Sequence, residues 1–177
     1  NKSDNYEINY FDNGNKKVEG HFENNAWQGE VKWYYRNGNI KRIDNWENFI
    51  QSGPYQKFYE DKNGLLRESG VIVKDDNHIL GIKRFTVFKK DGSTLLTGKI
   101  GLQYIGKWVF YRDNGDRYEY NFKNLKKEDW FNIEKQELEI IEFLSNGKLG
   151  RSFNFKGEDV SKYTKPLDDI LDYGKEE

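Results

Sequence analysis

Residues 29–38 read Gly-Glu-Val-Lys-Trp-Tyr-Tyr-Arg-Asn-Gly, and residues 106–115 read Gly-Lys-Trp-Val-Phe-Tyr-Arg-Asp-Asn-Gly. Each starts at a glycine, passes through aromatic and β-branched residues, and stops at Asn-Gly. Runs of that composition suit a pleated, half-buried strand. Asn-Gly after such a run is a strong hairpin signal, because a two-residue type I′ turn needs positive φ at both positions and Asn and Gly tolerate it best. Asx-Gly recurs at Asn13-Gly14, Asn37-Gly38, Asn63-Gly64, Asp91-Gly92, Asn114-Gly115 and Asn146-Gly147, at intervals of 24, 26, 28, 23 and 32 residues. A near-constant period of this size marks a repeat architecture, in which each unit buries its apolar face against its neighbours.

The flanks keep the same rhythm. Aromatic-rich segments precede the turns at residues 6–11, 33–35, 55–59, 85–88 and 108–111, and an apolar run precedes the last at 138–144. A second glycine stands upstream at Gly29, Gly53, Gly81 and Gly106, and a third follows at Gly20, Gly70 and Gly98. These are expected to mark bends between hairpins or to let neighbouring aromatics lie flat against the backbone. The segments 29–38 and 106–115, with the related stretches from Gly53 to Gly64 and from Gly81 to Gly92, resemble MORN-type repeats, especially a bacterial variant with a Gly, an aromatic pair and an Asn-Gly turn. The resemblance covers residues 6–123 well and weakens around Asn146-Gly147. It implies a meander of antiparallel hairpins forming a long twisted single sheet, used for protein or membrane-lipid contact. Some bacterial relatives of this kind, the YwqK-like proteins, are antitoxin-like, an association carried by the resemblance.

The fold expected is therefore all-β: tandem hairpins in one elongated twisted sheet with a short C-terminal helical cap. A length of 177 residues fits a single domain over 1–177. Within it, residues 6–123 hold the regular repeats and 137–157 the last hairpin. Between them, 124–136 lacks a turn glycine and reads as a short helix or a long loop bringing Trp130, Phe131 and Ile133 over the sheet. Residues 158–177 form a cap and tail, with a short helix begun by Pro166 and Leu167, Ile170 and Leu171 on one face. Such a cap protects an open sheet edge.

Composition excludes several function classes. Charged residues are 33% of the chain, yet 12 Tyr, 12 Phe and 5 Trp argue for order over disorder. A net charge of -1 gives no global field for nucleic acid or anionic lipid. With no Cys there is neither a thiolate nucleophile nor a thiolate metal site. No apolar run approaches the length of a membrane-spanning helix. The opening Asn1-Lys-Ser-Asp-Asn, without Met, fits a processed or trimmed start. On that ground an extracytoplasmic place (periplasmic, lipoprotein or secreted) is slightly favoured over a cytoplasmic one.

Catalytic signals are weak. His78 beside Asp75 and Asp76 reads better as a polar bend than as an acid–base or metal site, and His21 reads as surface or half-buried packing. Asp113-Asn-Gly-Asp116 lacks the ligand pattern of a calcium loop and reads as a turn. Asp168-Asp169 reads as the acidic start of the last helix. No cofactor is expected, and the chain reads as a non-enzyme, with a hydrolase using paired carboxylates the remote alternative. Aromatics interleaved with basic residues, as in Lys32-Trp-Tyr-Tyr-Arg36, chiefly pack the sheet. By alternation, Trp33 and Tyr35 inward puts Tyr34 outward, and Tyr34, Phe58 and Phe110 are the candidate partner-binding ladder. The leading function is protein binding or scaffolding by the repeat sheet, in an antitoxin-like or envelope setting. A surface-associated carbohydrate or adhesin-type binder is the alternative, and edge-to-edge homodimerisation is a further expectation.

Overall fold

A computed structural model describes residues 5–47, 49–61, 63–75, 78–101, 105–129 and 132–171. The chain forms two compact units, Asn1–Leu102 and Gln103–Glu177. The first holds β1 (Tyr6–Tyr10), β2 (Lys16–Glu23), β3 (Ala26–Tyr34), β4 (Ile40–Glu47), β5 (Ile50–Gln51), β6 (Gly53–Phe58), β7 (Leu66–Asp75), β8 (His78–Phe88) and β9 (Thr94–Ile100). They pair antiparallel in the order β1-β2-β3-β4-β6-β7-β8-β9, with β5 attached to β4. The second unit holds β10 (Gly106–Tyr111), β11 (Arg117–Phe122), β12 (Glu137–Phe143), β13 (Leu149–Lys156) and α1 (Glu158–Leu171), its strands again antiparallel in chain order. The antiparallel hairpin fold with a C-terminal helix, expected from the turn spacing, is the fold that forms.

The turns differ in type from the expectation. All six Asx-Gly glycines have positive φ, from 59° at Gly64 to 90° at Gly38, but the Asx before each is absent from the positive-φ residues. At the first turn the Gly14 N–H donates to the Phe11 carbonyl at 3.0 Å and the Phe11 N–H to the Asn15 carbonyl at 2.8 Å. That is a three-residue loop, a type I turn closed by a left-handed glycine bulge, and the turns at Gly38, Gly92, Gly115 and Gly147 repeat both bonds. The Asx contributes through its side-chain oxygen, which accepts the N–H two residues on, as Asn37 does from Asn39 at 2.9 Å and Asp91 from Ser93 at 2.8 Å. A two-residue turn with both centres left-handed occurs instead at Asn24-Asn25, with φ 52° and 63°, between the paired Glu23 and Ala26.

Cross-strand register places one row of the first unit, Val18, Trp33, Arg42, Lys57, Glu68, Val87 and Leu96, on a single face. Val31 and Asp44 face each other in a second row on that side, as do Tyr55, Gly70 and Phe85. This is the core face: Val31 and Leu96 are wholly buried and Tyr55, Phe85 and Val87 nearly so. Neighbouring hairpins are also fastened along the turn edge. Tyr35 and Tyr59 donate their hydroxyls to the carbonyls of Phe58 and Phe88, each at 2.8 Å, and the Asn39 amide donates to the Asp61 carbonyl at 2.6 Å.

In the second unit Trp108 and Leu138 fill the core face, and the rings of Trp108 and Phe122 meet edge-on at 6.0 Å. Residues 124–136 contain two short 3-10 turns, Lys127–Asp129 and Ile133–Lys135. Trp130 and Phe131 lie outside the described residues. Ile133 is 43% exposed and does not cover the sheet as expected. The helix is longer than Pro166 suggested. It begins at Glu158, directly after a left-handed Gly157, and runs through position 166. Its buried stripe is Val160, Thr164, Leu167 and Leu171, the spacing of one helix face. Tyr163 stacks on Phe155 of β13 at 3.8 Å.

Candidate partner-binding face

The core face of the first unit carries two almost wholly buried carboxylates, Asp44 and Glu68. Asp44, on β4, meets Arg42 Nε at 2.7 Å and accepts from the Gln51 side-chain amide at 2.8 Å. Glu68, on β7, meets Lys83 Nζ at 2.6 Å, accepts from the Tyr55 hydroxyl at 2.7 Å and has Lys57 at 4.0 Å. Burial opposes the charge on Glu68, but the ammonium groups of Lys83 and Lys57 outweigh it and hold its pKa below the usual glutamate range. Burial likewise pulls Lys83 below the ordinary lysine value. The cations also lie over rings, Lys83 over Tyr55 at 4.9 Å and Arg42 over Trp33 at 4.7 Å. Each buried carboxylate is thus matched by a cation and a hydrogen bond. That is how buried charge is tolerated in a protein interior.

The other charged candidates occupy separate places in the fold. His21 is exposed and meets the Tyr6 ring edge-on at 5.2 Å. Asp75 and His78 occupy paired positions of β7 and β8, whereas Asp76 lies outside the described residues. Asp116 accepts the Ser145 N–H at 2.8 Å and ties two turns together. Asp168 and Asp169 fall in the last turn of α1, not its first as expected, because the helix starts at Glu158, eight residues before Pro166, with Glu158 and Asp159 as its first-turn acids. Among the described residues no three His, Cys, Asp or Glu side chains group to hold a metal.

The face opposite the core is more open. Tyr34 lies on it, as alternation requires, but it is half-buried and its hydroxyl donates to Glu19, which Lys16 also meets at 2.6 Å. Burial, and then the bond to Glu19, push the Tyr34 hydroxyl well above its ordinary pKa. Phe58 is half-buried too. Phe110 pairs with Tyr118 and falls on the same face of its strand as the buried Trp108, which corrects its outward assignment. The three residues therefore do not form an exposed ladder.

A different group is exposed on the outer face. Val71 (43%) and Val73 (46%) project from β7, and Val71 lies opposite an exposed Pro54. At the tip between β4 and β5, Phe49 (67%) and Ile50 (44%) stand in solvent, and an ion pair between Glu47 and Lys74 links that tip to the end of β7. Phe49 has φ 69°, a left-handed conformation that costs a bulky side chain about 1–2 kcal/mol. The unbroken apolar run Val71-Ile72-Val73 was the available sequence signal; in a strand its residues point to both faces, and the run does not say which face is covered.

In the second unit, Asn121, Lys123, Glu137, Glu139, Asn154 and Lys156 line a shallow groove of about 240 Å³. Its charges are already spent on each other, Glu137 on Lys123 at 2.8 Å and on Lys156 at 3.6 Å. Among the described residues no helix is long and apolar enough to cross a membrane.

No protein-family model matches the chain, and no curated protein matches it. Among solved structures it is similar to a chain in the crystal structure of a GtfA/B complex bound to UDP and GlcNAc, at 12% identity and a TM-score of 0.24. That alignment covers 92% of this chain and 27% of the other. At such a score it supports no inference about fold or activity.

Proposed function

We propose that the chain is a non-enzymatic protein-binding module whose contact surface is the outer face of the first unit around Phe49, Ile50, Val71 and Val73. The observation that carries this reading is the exposure of Phe49 at 67% in a left-handed backbone conformation. A large aromatic displayed at a backbone cost is typical of a residue kept for contact rather than for folding. The adjoining exposed valines and Pro54 supply apolar area, and the Glu47–Lys74 pair supplies a polar rim, the usual anatomy of a recognition patch. The resemblance to MORN-type repeats supports a scaffolding role, and an antitoxin-like setting is its more specific form.

The test is affinity capture from native lysate with the parent chain and with a Val71→Lys/Val73→Lys variant of matching circular dichroism, followed by titration of the captured protein in purified form. Binding by the parent that falls at least about tenfold in the variant supports the reading, since truncating central contacts costs upwards of 1–2 kcal/mol. Equal binding by both, or titration only with oligosaccharides, removes it.

A further inference from the structure

β1 reads Tyr6-Glu7-Ile8-Asn9-Tyr10, close to its own reversal. The strand pairs with β2 on one side, and among the described residues no strand lies along its other side. All five of its residues are exposed, with Tyr6 at 45%, Ile8 at 36% and Tyr10 at 58%. Edge strands in natural sheets are usually guarded by lysine, proline or an inward-pointing charge, and β1 carries only Glu7.

The hydrogen-bond pattern fixes which groups are available. The Phe22 N–H donates to the Asn5 carbonyl at 2.9 Å. In an antiparallel ladder the bonded positions alternate. Residues 5, 7 and 9 therefore turn their amides toward β2, and Tyr6, Ile8 and Tyr10 turn theirs away from it.

We infer that β1 is a self-complementary edge, built to pair antiparallel with β1 of a second copy of this chain about a two-fold axis through Ile8. In that register Ile8 meets Ile8 of the other copy, and Tyr6 meets Tyr10 in both directions. All three outward-turned residues then fall in bonded pairs. Moving the axis by one residue to Glu7 or Asn9 leaves one tyrosine without a partner. On the opposite side of the strand Glu7 meets Asn9, so no like charges are placed opposite each other and the amide is offered to the carboxylate. Aromatic and β-branched cross-strand pairs of this sort stabilise sheets, and the same patch used by both partners is the requirement of a closed two-fold dimer. This inference concerns an edge distant in sequence from Phe49 and Val71 and does not rest on the binding face proposed above.

The chain has no cysteine, so single introduced thiols report register cleanly. The experiment is sedimentation of the parent and of Ile8→Lys across a concentration series, with oxidative crosslinking of Ile8→Cys and Glu7→Cys. The expected result is a parent dimer, weakened at least about tenfold by lysines set opposite each other, and a covalent dimer from Ile8→Cys but not from Glu7→Cys. Paired Cα atoms at a bonded position lie about 5.5 Å apart, within disulfide reach, while the two Glu7 positions are offset along the strands. A parent that stays monomeric at about millimolar concentration, or equal crosslinking by the two thiol variants, overturns the inference.

Discussion

A Cβ added to Gly70 would sit 2.8 Å from the hydroxyl oxygen and 2.9 Å from a ring carbon of Tyr55, and 2.1 Å from the carbonyl oxygen of Arg84. The tyrosine lies flat on the glycine because its hydroxyl has to reach Glu68 on the same strand as Gly70. Gly70→Ala therefore forces the backbone of β7 away from β8, where neither can yield easily. The expected loss is about 2–3 kcal/mol, read as a lower urea midpoint. Gly14→Ala is the contrasting variant, since nothing lies within 4 Å of its added carbon. There only the positive φ opposes alanine, at about 1 kcal/mol.

Glu68→Gln should remove about 3–5 kcal/mol, because it leaves the buried ammonium of Lys83 without its counter-charge. Replacing both by apolar residues, Glu68→Leu with Lys83→Met, should cost less than the single change. The pH dependence has a defined sign. Glu68 has a lower pKa folded than unfolded, so its contribution is complete above the unfolded value near about 4.3 and is lost as pH falls through the folded value. Urea unfolding at neutral and acidic pH should show the difference between parent and Glu68→Gln shrinking toward the acid end.

Asn25→Gly should leave stability unchanged or raise it by up to about 1 kcal/mol, because both centres of that two-residue turn are already left-handed and glycine adopts this conformation without a Cβ penalty. Asn25→Val should lower stability by about 1–2 kcal/mol. Asn37→Ala tests the other turn class. It loses the side-chain bond to Asn39, for an expected loss of roughly 0.5–1.5 kcal/mol, the worth of one hydrogen bond. Differential scanning calorimetry on the three variants separates these outcomes.

Phe49→Gly should stabilise the first unit by about 1 kcal/mol while weakening partner binding, the reverse of what a core aromatic would do. A lowered melting temperature with unchanged binding would place Phe49 among the packing residues instead.

The Asx-Gly period made the hairpin fold readable in advance, since glycine at those six positions reports a backbone conformation directly. Turn type was not readable, because Asn37 serves equally as a left-handed centre and as a side-chain acceptor, and only the bond from Gly38 to Tyr35 distinguishes them. The helix start was missed for a related reason. Pro166 announces a first turn by fixed φ, but the actual start is set by Gly157 and by the apolar spacing of Val160, Thr164 and Leu167. The exposed patch was the least readable. Alternation sorts Tyr34, Val71 and Phe110 onto sides of their own strands, and it takes the third dimension to show that Glu19 occupies the first while nothing described covers the second.

The fastenings along the turn edge use backbone carbonyls as acceptors, Phe58 for Tyr35 and Phe88 for Tyr59. A carbonyl is present whatever residue stands there, so each hairpin asks of the next only a position, not an identity. Duplication or deletion of a whole hairpin can then leave a working joint.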